Sequence, residues 1–117
     1  MRMVYLVNGI SPSMFPTPCS LIIKKIDLNT AVQVLKNGFQ SAIGHQSTAE
    51  VLSKLLNINV PTNRVAIKAD YGDMLIVFTL NARPPEGKVL DVSEIEKIGY
   101  DLYSVIVWNE EWDKYVV

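Results

Sequence analysis

Met74-Leu75-Ile76-Val77-Phe78-Thr79-Leu80 decides the fold. It is a short apolar run between Tyr71-Gly72-Asp73 and Asn81-Ala82-Arg83-Pro84-Pro85, so it predicts a central, buried strand bounded by turns. Just upstream, residues 64–69 place Val65, Ile67 and Ala69 on alternate positions. Joined through Tyr71-Gly72-Asp73, the two segments predict a β-hairpin.

Working outward, residues 3–7 are apolar and end at Asn8-Gly9, which predicts a buried strand meeting a turn. Pro12, Pro16 and Pro18 forbid a ladder in the segment that follows, so it reads as a loop of the kind that covers ligands. Ser20–Ile26, with Leu21, Ile22, Ile23 and Ile26, predicts a second strand. Asp27 or Asn29 then caps a helix carrying Leu28, Ala31, Val32 and Leu35 on one face, and Gly38 ends it. Ser47-Thr48-Ala49-Glu50 has capping-box spacing, and Ala49, Leu52, Leu55 and Leu56 follow at helical period, so a second helix starts near Ser47. Pro84-Pro85-Glu86-Gly87 breaks the chain, Ser93-x-x-Glu96 suggests a short helix, and residues 101–108 alternate as a further strand. The order β, β, α, α, β, β, short α, β predicts one α/β domain over residues 1–117, a mixed sheet of about five strands flanked by helices.

Composition narrows the function classes. The 117 residues suffice for one domain with a real core, and 49% of them are hydrophobic. Eleven basic and 12 acidic residues give a formal net charge of -1, with no basic arm for a long nucleic acid. Cys19 is alone, which excludes an internal disulfide and favours a reducing compartment, with a packing role as its ordinary one. No apolar run reaches the ~18 residues of a membrane span, and no secretory leader opens the chain, so a cytoplasmic protein is expected.

His45 is the only histidine. It follows Gly44 directly before the expected start of the second helix, where free backbone donors and the helix dipole favour an anion such as phosphate. Arg83 and Glu86 flank the stiff Pro84-Pro85 pair at the end of the central strand, and a guanidinium there suits planar recognition of phosphate oxygens. Arg64 follows Asn63 at the start of the other hairpin arm, and Asn8 and Ser11 close the first strand. Each also has a plain structural reading: a histidine bonding its loop, a local Arg83–Glu86 ion pair, an edge charge at Arg64, ordinary turn capping by Asn8 and Ser11.

A single histidine without cysteine partners makes a protein-only zinc site a poor fit, and neither a phosphate-binding glycine loop nor a paired-carboxylate motif occurs. No metal and no cofactor are expected. RNA transesterification remains consistent, because the substrate brings its own 2′-hydroxyl nucleophile and the protein need supply only alignment, charge stabilisation and one proton.

Taken in order, Ser41-Ala42-Ile43-Gly44-His45-Gln46-Ser47-Thr48-Ala49-Glu50, Asn63-Arg64-Val65 and Arg83-Pro84-Pro85-Glu86-Gly87 resemble the viral type III anti-CRISPR ring nucleases and their bacterial relatives. The resemblance covers nearly the whole chain. It implies a homodimeric α/β fold that cuts cyclic tetra-adenylate, the messenger of type III CRISPR immunity, into linear di-adenylates ending in a 2′,3′-cyclic phosphate, without metal. It further implies His45 as general acid, Glu86 as its orienting partner and Arg83 as the group that contacts the scissile phosphate or aligns the nucleophile. Asn8, Ser11, Gly44 and Arg64 become ligand contacts. Ala82 and Ser13 depart from the Gln and Asn that members of that family often carry at these places. A ring centred on a dimer axis would present two equivalent phosphates to two copies of His45. The rival classes are a sponge that holds a cyclic nucleotide uncut and a viral transcription regulator. Near-neutral charge weighs against the regulator, since phosphate contacts supply most DNA affinity.

Overall fold

The computed structural model describes residues 2–83 and 90–115. Among them, β4 (Met74–Leu80) lies between β1 (Val4–Val7), which runs parallel to it, and β5 (Tyr100–Trp108), which runs antiparallel. β2 (Ser20–Ile26) pairs antiparallel with the outer side of β5, and β3 (Gln40–Ser41) pairs parallel with the outer side of β1. The result is the expected mixed five-stranded sheet, in the order β2-β5-β4-β1-β3.

An apolar run without polar alternation needs cover on both faces. β4 has it: Leu75 and Ile76 are both 0% exposed although they point to opposite sides. One face, through Leu6, Ile76, Phe78 and Leu102, packs under α1 (Leu28–Lys36), α2 (Gln46–Leu56) and α3 (Val92–Ile98). The other face, through Tyr5, Leu75, Val77 and Val107, is covered without α-helices, by Met14 and Phe15 of the proline loop and by Ile67 and Ala69. Each fully buried aliphatic side chain contributes roughly 1.5–3 kcal/mol.

The expected hairpin is not formed. Residues 64–70 form no strand, and β4 takes β1 and β5 as neighbours instead. The alternation is nevertheless real, since Ile67 and Ala69 are buried against the sheet while Val65 is 44% exposed. The segment crosses the sheet face and bonds to the proline loop, with the Ala69 N–H donating to Met14 O at 2.8 Å. A period of two reports which side faces inward, not whether a ladder forms. β3, two residues long, was not foreseen, so the observed order is β, β, α, β, α, β, α, β.

Helix starts also differ in detail. Asp27 caps α1, accepting from Thr30 N–H at 2.8 Å, and Asn37 ends it just before Gly38. The Ser47–Glu50 capping box is absent: α2 begins at Gln46 with His45 as N-cap, and Glu50 accepts from Gln46 Nε2 at 3.0 Å. α3 is capped by Asp91, which accepts from Glu94 N–H at 2.8 Å, and not by Ser93, whose hydroxyl donates to the same carboxylate.

Where β1 and β4 begin, the sheet is tied tightly. The buried Asp73 carboxylate accepts from Met3 N–H at 3.0 Å and from Asp70 N–H at 2.8 Å. Burial, then the negative charges of Asp73 and Asp70, raise the Tyr5 hydroxyl above its ordinary pKa. Tyr71 donates to Pro18 O at 2.7 Å, and the Trp112 ring stands edge-on to Trp108 with centroids 4.9 Å apart. No helix among the described residues is long and apolar enough to cross a membrane.

Candidate functional site

Because β1, β3 and β4 run parallel, their carboxyl ends share one edge of the sheet. Open α/β sheets bind ligands outside that edge. β1 delivers Asn8 to Ser11 there, β3 leads into Gly44 and His45, and β4 leads toward Arg83. One topological fact thus brings these sequence-distant residues to the same end of the molecule.

The segment between β3 and α2 is held by its neighbours. Ala42 N–H donates to Leu6 O at 2.9 Å, continuing the pairing with β1. From the segment after α2, Asn63 N–H donates to Ile43 O at 2.8 Å, and its Nδ2 donates to Ser41 O at 2.7 Å. Ser41 Oγ accepts from Ile43 N–H at 3.2 Å. Ser41 and Ile43 are 3% and 0% exposed, so these carbonyls would be costly to leave unpaired.

The Arg64 stem stands beside Gly44. A Cβ on Gly44 would stand 3.6 Å from Arg64 Cγ and 3.7 Å from its Nε. His45 comes next, exposed and in extended conformation at the N-cap of α2, with no side-chain capping bond. Among the described residues its imidazole has no hydrogen bond or ion pair, so it is available to an incoming group. No side chain among them caps the first N–H groups of α2 either, which leaves the helix start open to an anion.

Asn8 and Ser11 line a cavity of about 290 Å³, with Ala42, Ile67 and Lys68 on its other walls. Lys68 Nζ donates to Ser13 O at 2.9 Å and so ties the proline loop to the segment that crosses the sheet. Asn8 also borders a second cavity of about 240 Å³, shared with Thr48 of α2 and Leu80 of β4. Asn8 therefore stands between the proline loop and the start of α2. Arg83 is exposed shortly after β4. Glu86 lies outside the described residues, so its expected pairing with His45 has no structural description. Among the described residues, no group of three His, Cys, Asp or Glu side chains is placed to hold a metal.

Sequence reasoning gave no role to Asn63 or Lys68. Asn63 was visible as an amide directly before Arg64, but its value depends on carbonyls some twenty positions away that only the fold brings near. Lys68 carried no signal beyond its charge.

Comparison with known proteins agrees with this architecture. The STIV B116-like family model matches residues 4–102. Protein 26 of Sulfolobus islandicus filamentous virus (isolate Iceland/Hveragerdi) is 36% identical over 104 residues, 86% of this chain and 88% of that protein. ORF117 of Acidianus two-tailed virus is 43% identical over 75 residues, 63% of this chain and 64% of that protein. Among solved structures, B116 of Sulfolobus turreted icosahedral virus superposes with a TM-score of 0.77 at 29% identity, covering 92% of this chain and 99% of that one. Matched along most of its length by that family model and by relatives from archaeal viruses, the chain belongs to the STIV B116-like family.

Proposed function

We propose that this protein is a metal-independent ring nuclease that binds cyclic tetra-adenylate across a homodimer and cuts it, silencing type III CRISPR signalling. The observation that carries the reading is the exposed, unpartnered His45 at an uncapped helix start, with the Arg64 stem across the preceding glycine. The resemblance of its sequence motifs to those of viral ring nucleases and its kinship with archaeal-virus proteins support it.

In the proposed reaction the 2′-hydroxyl of one adenosine attacks the adjacent phosphorus. The 2′-oxygen passes its proton to water as it bonds to phosphorus and the P–O5′ bond breaks, leaving a 2′,3′-cyclic phosphate and a 5′-oxygen that takes a proton from the His45 imidazolium. Arg83 and the amides at the start of α2 stabilise the charge on the phosphorane oxygens. Glu86 orients His45, while Arg64, Asn8, Ser11 and Gly44 hold the ring. Two copies of the site, related by the dimer axis, open the ring twice.

The test is incubation of the protein with cyclic tetra-adenylate and chromatography of the products. Linear di-adenylate with a cyclic phosphate end is expected, and His45→Ala should still bind the ring while cutting it roughly 10²–10⁴-fold more slowly. A ring recovered bound but uncut by the wild-type protein would make it a sponge and overturn the reading.

A further inference from the structure

We infer that Asn63 is a positioning residue that sets His45 and Arg64 in place for cleavage, an inference that rests on the reading of His45 as the acid. β3 is a two-residue strand at the edge of the sheet, so the segment from Ser41 to His45 gains little from the ladder. Asn63 supplies the missing attachment at two points, its N–H on Ile43 O and its Nδ2 on Ser41 O, at 2.8 and 2.7 Å. An asparagine suits this task because its side-chain amide donates beside its own main-chain N–H, so one residue grips two carbonyls of the facing segment. Aspartate has no such donor when ionised, alanine has none, and glutamine is one methylene too long for the same spacing.

The same residue governs two groups of the proposed site, Arg64 and His45. Arg64 follows Asn63 in the chain and lies on Gly44, while His45 follows Gly44. With both carbonyls gripped, the guanidinium stem and the imidazole share one frame, and their separation is set by the clamp rather than by the ligand. Asn63 needs no contact with the substrate to act in this way. A shift of about 1 Å in a positioned catalytic group costs on the order of 10²-fold in rate.

The experiment compares the wild type, Asn63→Ala, Asn63→Asp and His45→Ala in single-turnover cleavage of saturating cyclic tetra-adenylate, each checked for folding by circular dichroism and a cooperative melt. His45 is the only histidine, so its imidazole resonance in an NMR spectrum needs no assignment by mutation. Both Asn63 variants should lose roughly 10- to 10²-fold in the rate of the bound ring, keep the pH limbs of the rate profile unmoved, and show a shifted or broadened His45 resonance without ligand. A purely structural role would lower the melting temperature and leave the rate per folded molecule and the resonance alone. If Asn63→Ala does not fold, Asn63→Asp carries the test, since it keeps the volume and the main-chain N–H. Wild-type cleavage rates in a folded Asn63 variant beside an inactive His45→Ala would overturn the role of Asn63 and leave the nuclease reading standing. No cleavage by the wild type would overturn the nuclease reading instead, and an unchanged His45 resonance in the Asn63 variants would then overturn the positioning role by itself.

Discussion

The stem of Arg64 lies across Gly44, with Arg64 Cγ 3.6 Å and Arg64 Cβ 3.7 Å from the place a Cβ on Gly44 would take. Such distances are ordinary van der Waals contact, and Gly44 does not have a positive φ. The glycine is therefore not required by its backbone. What it provides is a shallow seat for the arginine beside His45.

Two substitutions separate these roles. Gly44→Ala should fold with stability within ~1 kcal/mol of wild type, because alanine fits both the backbone and the space. Its cleavage rate should stay close to wild type. Gly44→Val pushes the Arg64 stem aside and should slow cleavage on the order of 10²-fold while leaving the melt cooperative. Denaturant titration and single-turnover assays check both, and equal rates for the alanine and valine variants would remove Arg64 from the site.

Chelator should leave the cleavage rate unchanged. One histidine and one cysteine in the whole sequence do not make the ligand set of a zinc site, and the proposed transesterification would draw its charge stabilisation from Arg83 and helix amides. The measurement is the rate in excess EDTA. Loss of activity restored by a divalent ion would mean that the ring is cut by a different chemistry.

Acid sensitivity should trace to two helix caps. Hydrogen bonds from Thr30 hold the Asp27 carboxyl below its ordinary pKa, and the Glu94 N–H with the Ser93 hydroxyl does the same for Asp91. A carboxylate lowered in the folded state contributes stability that is fully present above its unfolded value of about 3.9. That contribution is lost as pH falls through the folded values. The double variant Asp27→Asn, Asp91→Asn keeps capping oxygens that do not titrate. Its melting temperature should match the wild type at pH 7 and fall less steeply below pH ~4. Parallel acid limbs for the two proteins would show that the caps do not carry the effect.

Asp73→Ala should cost roughly 2–4 kcal/mol, because it strips the acceptor from two N–H groups, those of Met3 and Asp70, at a buried position. Asp73→Asn should cost less, since one oxygen remains. Urea unfolding measures the difference, and a loss below ~1 kcal/mol for alanine would mean that water takes over both donors.

Much of this was legible before any coordinates. Met74–Leu80 reads as a buried strand because nothing in it is polar enough to face water, and it is one. Asp27 or Asn29 reads as the cap because either side chain can accept from the free N–H groups of an apolar helical period, and the structure uses Asp27. Residues 64–69 misled because burial on alternate positions also arises when a chain lies across a sheet rather than in it. Gln40–Ser41 was invisible because two residues carry no period. At the site, His45, Gly44 and Arg64 were picked out from residue type and motif, and the structure puts Arg64 against Gly44. The grip of Asn63 was out of reach, since it acts on main-chain carbonyls and the residues that present them leave no side-chain signature.

The ties around Asp73, Tyr71 and Trp112 sit where β1 and β4 begin, whereas Asn8, His45 and Arg83 stand where the parallel strands end. Native-state opening follows such gradients: segments with exposed backbone and few buried partners open at lower free energy than the anchored core. Amide exchange should be slowest at the Met3, Asp70 and Val107 end and faster at the exposed backbone of the first turn after His45. For the ring proposed as substrate, the rim around His45 is the way in, and the way out for its linear fragments, with the strands left paired.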